Sequence, residues 1–168
     1  MADVLSPEQR SRVMSRIRGS NTKPEVWVRK GLFALGFRYR LHRRDLPGRP
    51  DVVLPRYNAA VFINGCFWHG HDCHLFRPPA TRTDFWRSKI EANRARDARN
   101  IEELRLLGWR VLVIWECAIR GNTRHAPDAV ISTTAQWLTA GDQVLEITGS
   151  RDTAPRPRDS ETERGGNA

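Results

Sequence analysis

The residues best suited to chemistry lie in one short stretch, residues 65–74, which holds two of the three cysteines and three of the five histidines. Thiolate sulfur and imidazole nitrogen are ligands that Zn²⁺ favours, and four of them make a closed structural site. Cys66 and Cys73 are close enough in the chain to bind one ion. The stretch therefore predicts a structural zinc site, although free buried thiols are the simpler alternative.

The third thiol, Cys117, follows the apolar run 109–115, and the apolar run 59–64 leads directly into the stretch 65–74. If these two strands run parallel, their carboxyl ends lie at the same edge of the sheet, and Cys117 joins the other two thiols. A histidine then completes the site. His71 lies between the two cysteines and is the predicted ligand, while spacing also leaves open His69, His74 and His125.

A histidine left over beside the zinc can act as a general base. If His71 binds the ion, His69 is held two residues away from it. An imidazole base also needs a carboxylate that fixes its tautomer. Without such a partner, a histidine that only forms structural hydrogen bonds is the simpler interpretation.

Asp51 gives a second chemical signal, because it follows a turn and opens the apolar run 51–54. An aspartate there, with a second apolar strand next in the chain, is typical of nucleases that hold Mg²⁺ against a phosphodiester. An aspartate in a Gly-Arg-Pro-Asp turn is also common for structural reasons. The acid-x-lysine motif usual on the second strand is absent, since Phe62, Ile63 and Asn64 stand there.

The long glycine- and proline-free run 85–107 predicts a helix with a polar stripe on one face. The stripe combines a stacking ring, a cation, an amide and a carboxylate, a mixture suited to nucleic acid rather than to a core. A solvated face is the alternative. Its members, at positions i, i+3, i+7 and i+11, are Trp86, Lys89, Asn93 and Asp97.

Composition favours a polyanionic partner, because 28 lysines and arginines against 19 acidic residues give a net charge of +9. Nucleic acid fits better than a membrane, since no apolar run of about 18 residues exists. Three cysteines argue against a disulfide framework and for a reducing compartment, so a cytoplasmic location is expected.

The elements that position these groups form one α/β domain with a mixed sheet flanked by helices. Residues 1–20 predict a flexible basic arm, residues 21–140 the domain, and residues 141–168 a disordered tail. Thr22 and Glu25 predict a capping box at the first helix. Strands are predicted at 37–42, 51–54, 59–64 and 109–115, and further helices at 85–107 and 127–139.

The combined motifs resemble those of the very-short-patch-repair (Vsr) DNA mismatch endonucleases. The resemblance covers roughly residues 7–140, including a similar segment from Met14 to Glu25. It rests on Asp51, the run Gly65-Cys66-Phe67-Trp68-His69, Cys73, the run Pro79-Ala80-Thr81-Arg82-Thr83 with Phe85-Trp86, Gly108-Trp109-Arg110-Val111 and Trp115-Glu116-Cys117-Ala118.

The resemblance implies an Mg²⁺-dependent endonuclease that nicks DNA 5′ to the thymine of a T:G mismatch left by deamination of 5-methylcytosine. It implies a restriction-endonuclease-like core with an added structural zinc. Asp51 and the main-chain carbonyl of Ile63 would bind Mg²⁺, and Glu25 would reach the water shell of the metal. His69 would act as general base, with Asp97 behind it.

The family also implies an aromatic wedge, formed by Phe67, Trp68 and Trp86, that enters the duplex beside the mismatch. The side chains expected near the mispair are Met14, Lys89 and Asn93. Family members more often carry Thr and then His where this chain has Ile63 and Asn64. Any residue can supply a carbonyl, whereas Asn64 removes an imidazole, so the departure concerns the rate rather than the reaction.

The implied partner is double-stranded DNA with a T:G mismatch, acted on by a monomer in the cytoplasm at the nucleoid. Mismatch-repair proteins and a repair polymerase are the expected protein partners, and no membrane is involved. The alternative function is a non-catalytic, zinc-stabilised DNA-binding module. Such a module would share the charge, the zinc and the wedge, but it would not require Asp51 or His69.

Overall fold

The fold was analysed in a computed structural model, which describes residues 8–9, 12 and 19–150. Met14, most of the predicted basic arm and residues 151–168 lie outside the described residues. Within the described part, no helix is both long and apolar enough to cross a membrane.

A five-stranded mixed sheet forms the centre of the domain, with the strands in their chain order. The first three strands pair antiparallel, whereas β3 pairs parallel with β4 and β4 parallel with β5. The predicted parallel pairing of the two apolar strands is therefore confirmed. The strands are β1 (Arg40–Leu41), β2 (Val52–Leu54), β3 (Ala59–Asn64), β4 (Arg110–Trp115) and β5 (Val144–Ile147).

Helices cover both faces of the sheet because the central strands are apolar on both sides. One face packs against α1 (Lys23–Ala34) and α4 (Pro127–Ala140), which contribute side chains such as Leu32 and Leu138. The other face packs against α2 (Thr83–Leu106), mainly through Leu104. A short helix, α3 (Glu116–Ile119), directly follows β4.

Two sequence predictions need correction. Only Arg40 and Leu41 of the predicted strand 37–42 pair with β2, because His42 has a positive φ of 46° that takes the chain out of the extended region. The range 141–168, assigned to a disordered tail, contains β5, so the sheet continues beyond residue 140.

The parallel pair β3–β4 determines where the chemistry lies. Asn64 is paired with Trp115 at the carboxyl ends of the two strands. The cysteine- and histidine-rich loop leaves one strand at this edge, and Cys117 leaves the other. This edge of the sheet carries the groups described next.

Candidate active site

Three thiols and one imidazole meet at the edge of β3 and β4. The ligand atoms of this cysteine cluster, which comprises Cys66, His71, Cys73 and Cys117, all lie within 4.8 Å of one another. His71 Nδ1 lies 3.6 Å from the Cys66 sulfur and 3.5 Å from the Cys117 sulfur. A tetrahedral Zn²⁺ site places nitrogen and sulfur ligands about 3.6 Å apart, so the donors and their spacing suit zinc.

The backbone folds tightly to bring these ligands together. The His71 N–H donates to the Cys66 carbonyl at 3.0 Å, and the His71 ring stacks on Trp115 with 4.2 Å between ring centroids. The Cys66 thiol hydrogen bond lowers the pKa of Cys117 to about 5; burial acts in the opposite direction, and the Gly149 N–H lowers the pKa further. A thiol that ionises readily is prepared for metal ligation.

The other histidines that spacing left open lie elsewhere. His74 Nδ1 is 3.2 Å from the Thr123 hydroxyl, and His125 Nε2 is 2.7 Å from the Thr148 carbonyl. His69 turns to the opposite side of the loop. Its Nδ1 lies 2.5 Å from Asp97 Oδ2, a close contact with a carboxylate on α2.

This contact places the Asp97 carboxylate behind the imidazole of His69, as the family resemblance implied. With Nδ1 donating to Asp97, the lone pair of His69 Nε2 is left to accept a proton. Both side chains are partly exposed, at 26% and 30%. A solvent-accessible imidazole with a fixed tautomer is suited to general-base chemistry.

Asp51 lies at the start of β2, beside β3. Its Oδ2 accepts a hydrogen bond of 2.8 Å from the Ile63 N–H. Burial raises the pKa of Asp51 to about 6; the Ile63 N–H opposes this shift, and the nearby Glu25 charge adds to it. An aspartate held in such an unfavourable environment is a strong candidate for a functional group.

Glu25 lies at the first turn of α1 and also faces Asp51. Half of the predicted capping box is present, because the Glu25 N–H donates to the Thr22 hydroxyl at 3.4 Å, but the Glu25 carboxylate reaches the Asn21 N–H instead of the Thr22 N–H. Its Oε1 accepts from the Thr22 hydroxyl at 2.9 Å, and Oε2 accepts from the Asn21 N–H at 2.8 Å and from Arg29 at 2.7 Å. The side chain is only 4% exposed. Three donors therefore hold the carboxylate in place.

One open cavity of about 940 Å³ connects these groups. Asp51 and the His69–Asp97 pair line it together, although the strands β2 and β3 separate Asp51 from His69 in the chain and Asp97 comes from α2. Trp68 and Lys89 line the same cavity. The cavity thus joins a partly buried carboxylate, a candidate base and an aromatic side chain.

An aromatic cluster lies beside this cavity, and we define it as Phe67, Trp68 and Trp86. The ring centroids are 5.2 to 5.9 Å apart, with tilted or edge-to-face geometry. The Lys89 ammonium lies 5.7 Å from the Trp68 ring and 5.5 Å from the Trp86 ring. All three rings are partly exposed, so they present an apolar surface next to a cation.

Asn93 has a structural contact that the sequence did not predict. Its amide donates to the main-chain carbonyl of Trp68 at 2.9 Å. This bond ties the loop that carries the aromatic cluster to α2. Asn93 therefore also supports the cluster from behind.

Sequence reasoning missed two residues beside Asp51, namely Arg29 and His42. Arg29 is 7% exposed and ion-pairs with Glu25, and His42 Nδ1 lies 3.9 Å from Asp51 Oδ1. The ligand atoms of Glu25, His42 and Asp51 also lie within 4.8 Å of one another. A basic helix residue and an isolated histidine give no spacing signal; the burial of Arg29 and the contacts of His42 in the fold identify them.

Comparison with known proteins identifies the family. A family model described as DNA mismatch endonuclease Vsr matches residues 2–75. The type II nicking enzyme V.XorIIP of Xanthomonas oryzae pathovar oryzae is 51% identical over 119 residues, covering 71% of this chain and 88% of the relative. DNA mismatch endonuclease Vsr of Escherichia coli is 44% identical over 138 residues, covering 82% and 88%. The type II nicking enzyme V.NmeAIP of Neisseria meningitidis is 48% identical over 120 residues, covering 71% and 86%. This chain therefore belongs to the family of Vsr DNA mismatch endonucleases.

Proposed function

We propose that this protein nicks one strand of duplex DNA on the 5′ side of the thymine in a T:G mismatch, with Mg²⁺ as cofactor. The observation that carries the proposal is the shared cavity. Asp51 and the His69–Asp97 pair line it, and Trp68 and Lys89 lie on its wall. A carboxylate, a base and a stacking platform are the parts that mismatch-directed hydrolysis requires.

His69 is the general base of the proposed reaction. Its Nδ1–H donates to Asp97, which orients the ring and favours the imidazolium that forms when Nε2 takes a proton from the attacking water. The water oxygen then attacks the scissile phosphorus, the P–O3′ bond breaks, and the 3′ oxygen takes up a proton from solvent and leaves as a hydroxyl. General-base catalysis of this kind contributes about 10²- to 10⁴-fold to the rate.

Asp51 and the carbonyl of Ile63 are the proposed Mg²⁺ ligands. In a strand, the N–H and C=O of one residue point to the same side, so the Ile63 carbonyl lies on the side from which its N–H reaches Asp51. Oxygen donors of this kind suit a hard divalent cation. A bound Mg²⁺ supplies stabilisation of negative charge on the phosphodiester. Glu25 lies close enough to Asp51 to contact the water shell of the proposed Mg²⁺. Asn64, the last residue of β3, is the only polar residue of that strand.

The aromatic cluster is the proposed mismatch sensor. Inserting rings between base steps costs a few kcal/mol, and the cost is lowest where pairing is already weak. Lys89 adds a positive charge where the rings meet the nucleic acid. The cysteine cluster is proposed to bind Zn²⁺ as a scaffold, within a restriction-endonuclease-like fold. We also predict that the enzyme acts as a monomer. Mismatch-repair proteins and a repair polymerase are its predicted partners.

The direct test compares duplexes that differ at one base. End-labelled T:G and T:A duplexes are incubated with the protein in Mg²⁺ or in EDTA, and products are resolved on denaturing gels. We expect one nick, 5′ to the mismatched thymine, only with T:G and Mg²⁺. Binding without any nick would favour a DNA-binding module instead.

The Asp51→Ala variant separates chemistry from recognition. It should bind the T:G duplex nearly as well as the parent protein, because the aromatic cluster is built from other elements, but it should not nick. An Asp142→Ala variant, which removes a charge from the exposed loop before β5, serves as the control. If Asp51→Ala also lost mismatch binding, the proposed division of roles would be wrong.

A further inference from the structure

Arg29 is a buried residue at the centre of a hydrogen-bond network next to Asp51. Its NH1 donates to the Asn21 side chain at 2.7 Å, and its NH2 donates to Glu25 at 2.7 Å. The same NH2 lies 3.1 Å from His42 Nε2. A guanidinium only donates hydrogen bonds, so each of its three neighbours must offer an acceptor.

This requirement determines the tautomer of His42. Because Arg29 is a donor, His42 Nε2 must carry a lone pair, and the ring proton of the neutral imidazole is therefore on Nδ1. His42 Nδ1 faces Asp51 Oδ1 at 3.9 Å. Polar contacts in substrate-free active sites are often long and shorten to hydrogen bonds in the reactive complex.

The backbone holds His42 in this position at an energetic cost. His42 has a φ of 46°, and Asn21, at the other end of the network, has a φ of 57°. Left-handed conformations of residues other than glycine persist where the surrounding structure enforces them, and they concentrate at functional sites. Both ends of the network around Arg29 are thus held in strained conformations.

We propose that His42 is a positioning residue for Asp51, with its tautomer set by Arg29. The Ile63 N–H donates to one oxygen of the Asp51 carboxylate at 2.8 Å, and the His42 Nδ1–H faces the other oxygen at 3.9 Å, a gap that would close to a hydrogen bond in the metal-bound complex. Both oxygens are then oriented, and each retains a lone pair for a divalent cation. This inference rests on the proposed function, because it assigns His42 a role in orienting the proposed metal ligand.

The competing role for His42 is that of a direct metal ligand, together with Glu25 and Asp51. A metal on Nδ1 would require the proton to be on Nε2, where it would oppose the Arg29 N–H at 3.1 Å. A metal on Nε2 would have to displace Arg29 from that nitrogen. The network therefore favours His42 as a hydrogen-bond donor that orients Asp51 over His42 as a direct metal ligand.

The tautomer can be read directly from the wild-type protein. Long-range ¹H–¹⁵N correlation spectra of the full-length, ¹⁵N-histidine-labelled protein, without Mg²⁺ or DNA, report which ring nitrogen carries the proton. The spectrum of His42→Gln assigns the signals. We expect the proton on Nδ1 of His42, and a proton on Nε2 would overturn the proposal.

Metal affinity gives the second measurement, with Mn²⁺ as the probe and the free ion followed by electron paramagnetic resonance. We expect His42→Phe, which keeps a ring but has no donor, to weaken Mn²⁺ binding about 10- to 100-fold. His42→Gln offers one acceptor and one donor, and it should restore most of the affinity. His125→Phe, at a histidine that contacts Thr148 instead, is the matched control and should bind like wild type.

The outcomes separate this inference from the proposed function. Unchanged Mn²⁺ affinity in His42→Phe would overturn the positioning role even if the wild type nicks T:G duplexes. Direct ¹⁴N coupling to Mn²⁺ that disappears in His42→Gln would also overturn it, because it would show that His42 binds the metal itself. Conversely, the expected tautomer and affinities in a protein that nicks no duplex would support the role of His42 and reject the nickase. The tautomer is measured on the wild-type protein, and a folded His42→Gln variant assigns the signals; His42→Phe serves the same purpose if His42→Gln does not fold.

Discussion

Asp51 should make the metal-free protein less stable than it would be with a neutral side chain at the same place. Burial raises the pKa of Asp51 from 3.8 to about 6. The folded protein therefore binds this proton more tightly than the unfolded chain does. We predict that Asp51→Asn, which removes the charge but keeps an oxygen that can accept from the Ile63 N–H, stabilises the metal-free protein at neutral pH.

The magnitude and its pH dependence follow from the shift. Below about pH 3 the carboxyl is neutral in both the folded and the unfolded state, so its charge does not reduce the stability of the wild type. Between about pH 4 and pH 6 the unfolded chain ionises first, and the stability of the wild type falls as the pH rises. A shift from 3.8 to about 6 corresponds to about 3 kcal/mol. In a chain of this size that raises the melting temperature of Asp51→Asn by roughly 6 to 12 °C.

The assay is thermal unfolding of wild type and Asp51→Asn in buffer freed of Mg²⁺ without a chelator, at pH values from 3 to 8. The difference between the two proteins should be near zero at pH 3, grow up to about pH 6 and then stay constant, because other titrations are common to both. Adding Mg²⁺ should stabilise only the wild type. Asp142→Asn, at an exposed position, should show no such pH-dependent gain. A difference that does not change with pH would refute the reasoning.

Three further outcomes are expected. Asp97→Asn should slow nicking of the T:G duplex by about 10²-fold or more in single-turnover assays, since the amide no longer stabilises the imidazolium of His69; unchanged rates would exclude the pair from catalysis. Cys117→Ser should lose the proposed zinc, measured by elemental analysis. It should also unfold at a lower denaturant concentration, because structural zinc contributes directly to folding. A full equivalent of retained zinc would contradict the ligand assignment. Gly70→Ala should lower the free energy of unfolding, measured by denaturant titration, by about 1 to 3 kcal/mol, because Gly70 has a φ of 60° and an added Cβ would approach Ile90 to 2.5 Å. A variant as stable as wild type would contradict this packing.

The cysteine cluster could be predicted from sequence because its constraints are local or follow from strand pairing. Cys66 and Cys73 are near neighbours in the chain, and one assumption, parallel pairing of two apolar strands, brought Cys117 to them. The choice of His71 was not fixed by spacing. It follows from the turn that returns the His71 N–H to the Cys66 carbonyl, and no sequence pattern encodes that turn.

The network behind Asp51 could not be predicted in the same way. Arg29 lies on the buried face of its helix together with Val28 and Leu32, but a charged side chain adds nothing to an apolar periodicity, so the sequence pattern did not mark it. His42 belongs to an alternating segment that indicated a strand, and its left-handed backbone becomes visible only in the fold. Similarly, β5 has only four residues, one of them Glu146, and it is stabilised as a strand by pairing with β4.

The cysteine cluster and α2 together determine where the base lies. His69 follows Cys66 by three residues and precedes His71 by two, so the cluster holds the chain on both sides of it. Gly70, the next residue, is pressed against Ile90 of α2, the helix that carries Asp97. The contact between His69 and Asp97 therefore depends on the cluster, whereas the bond from the Ile63 N–H to Asp51 lies within the β2–β3 pair. Loss of the cluster should consequently separate the base from its carboxylate while leaving the proposed Mg²⁺ ligand in place.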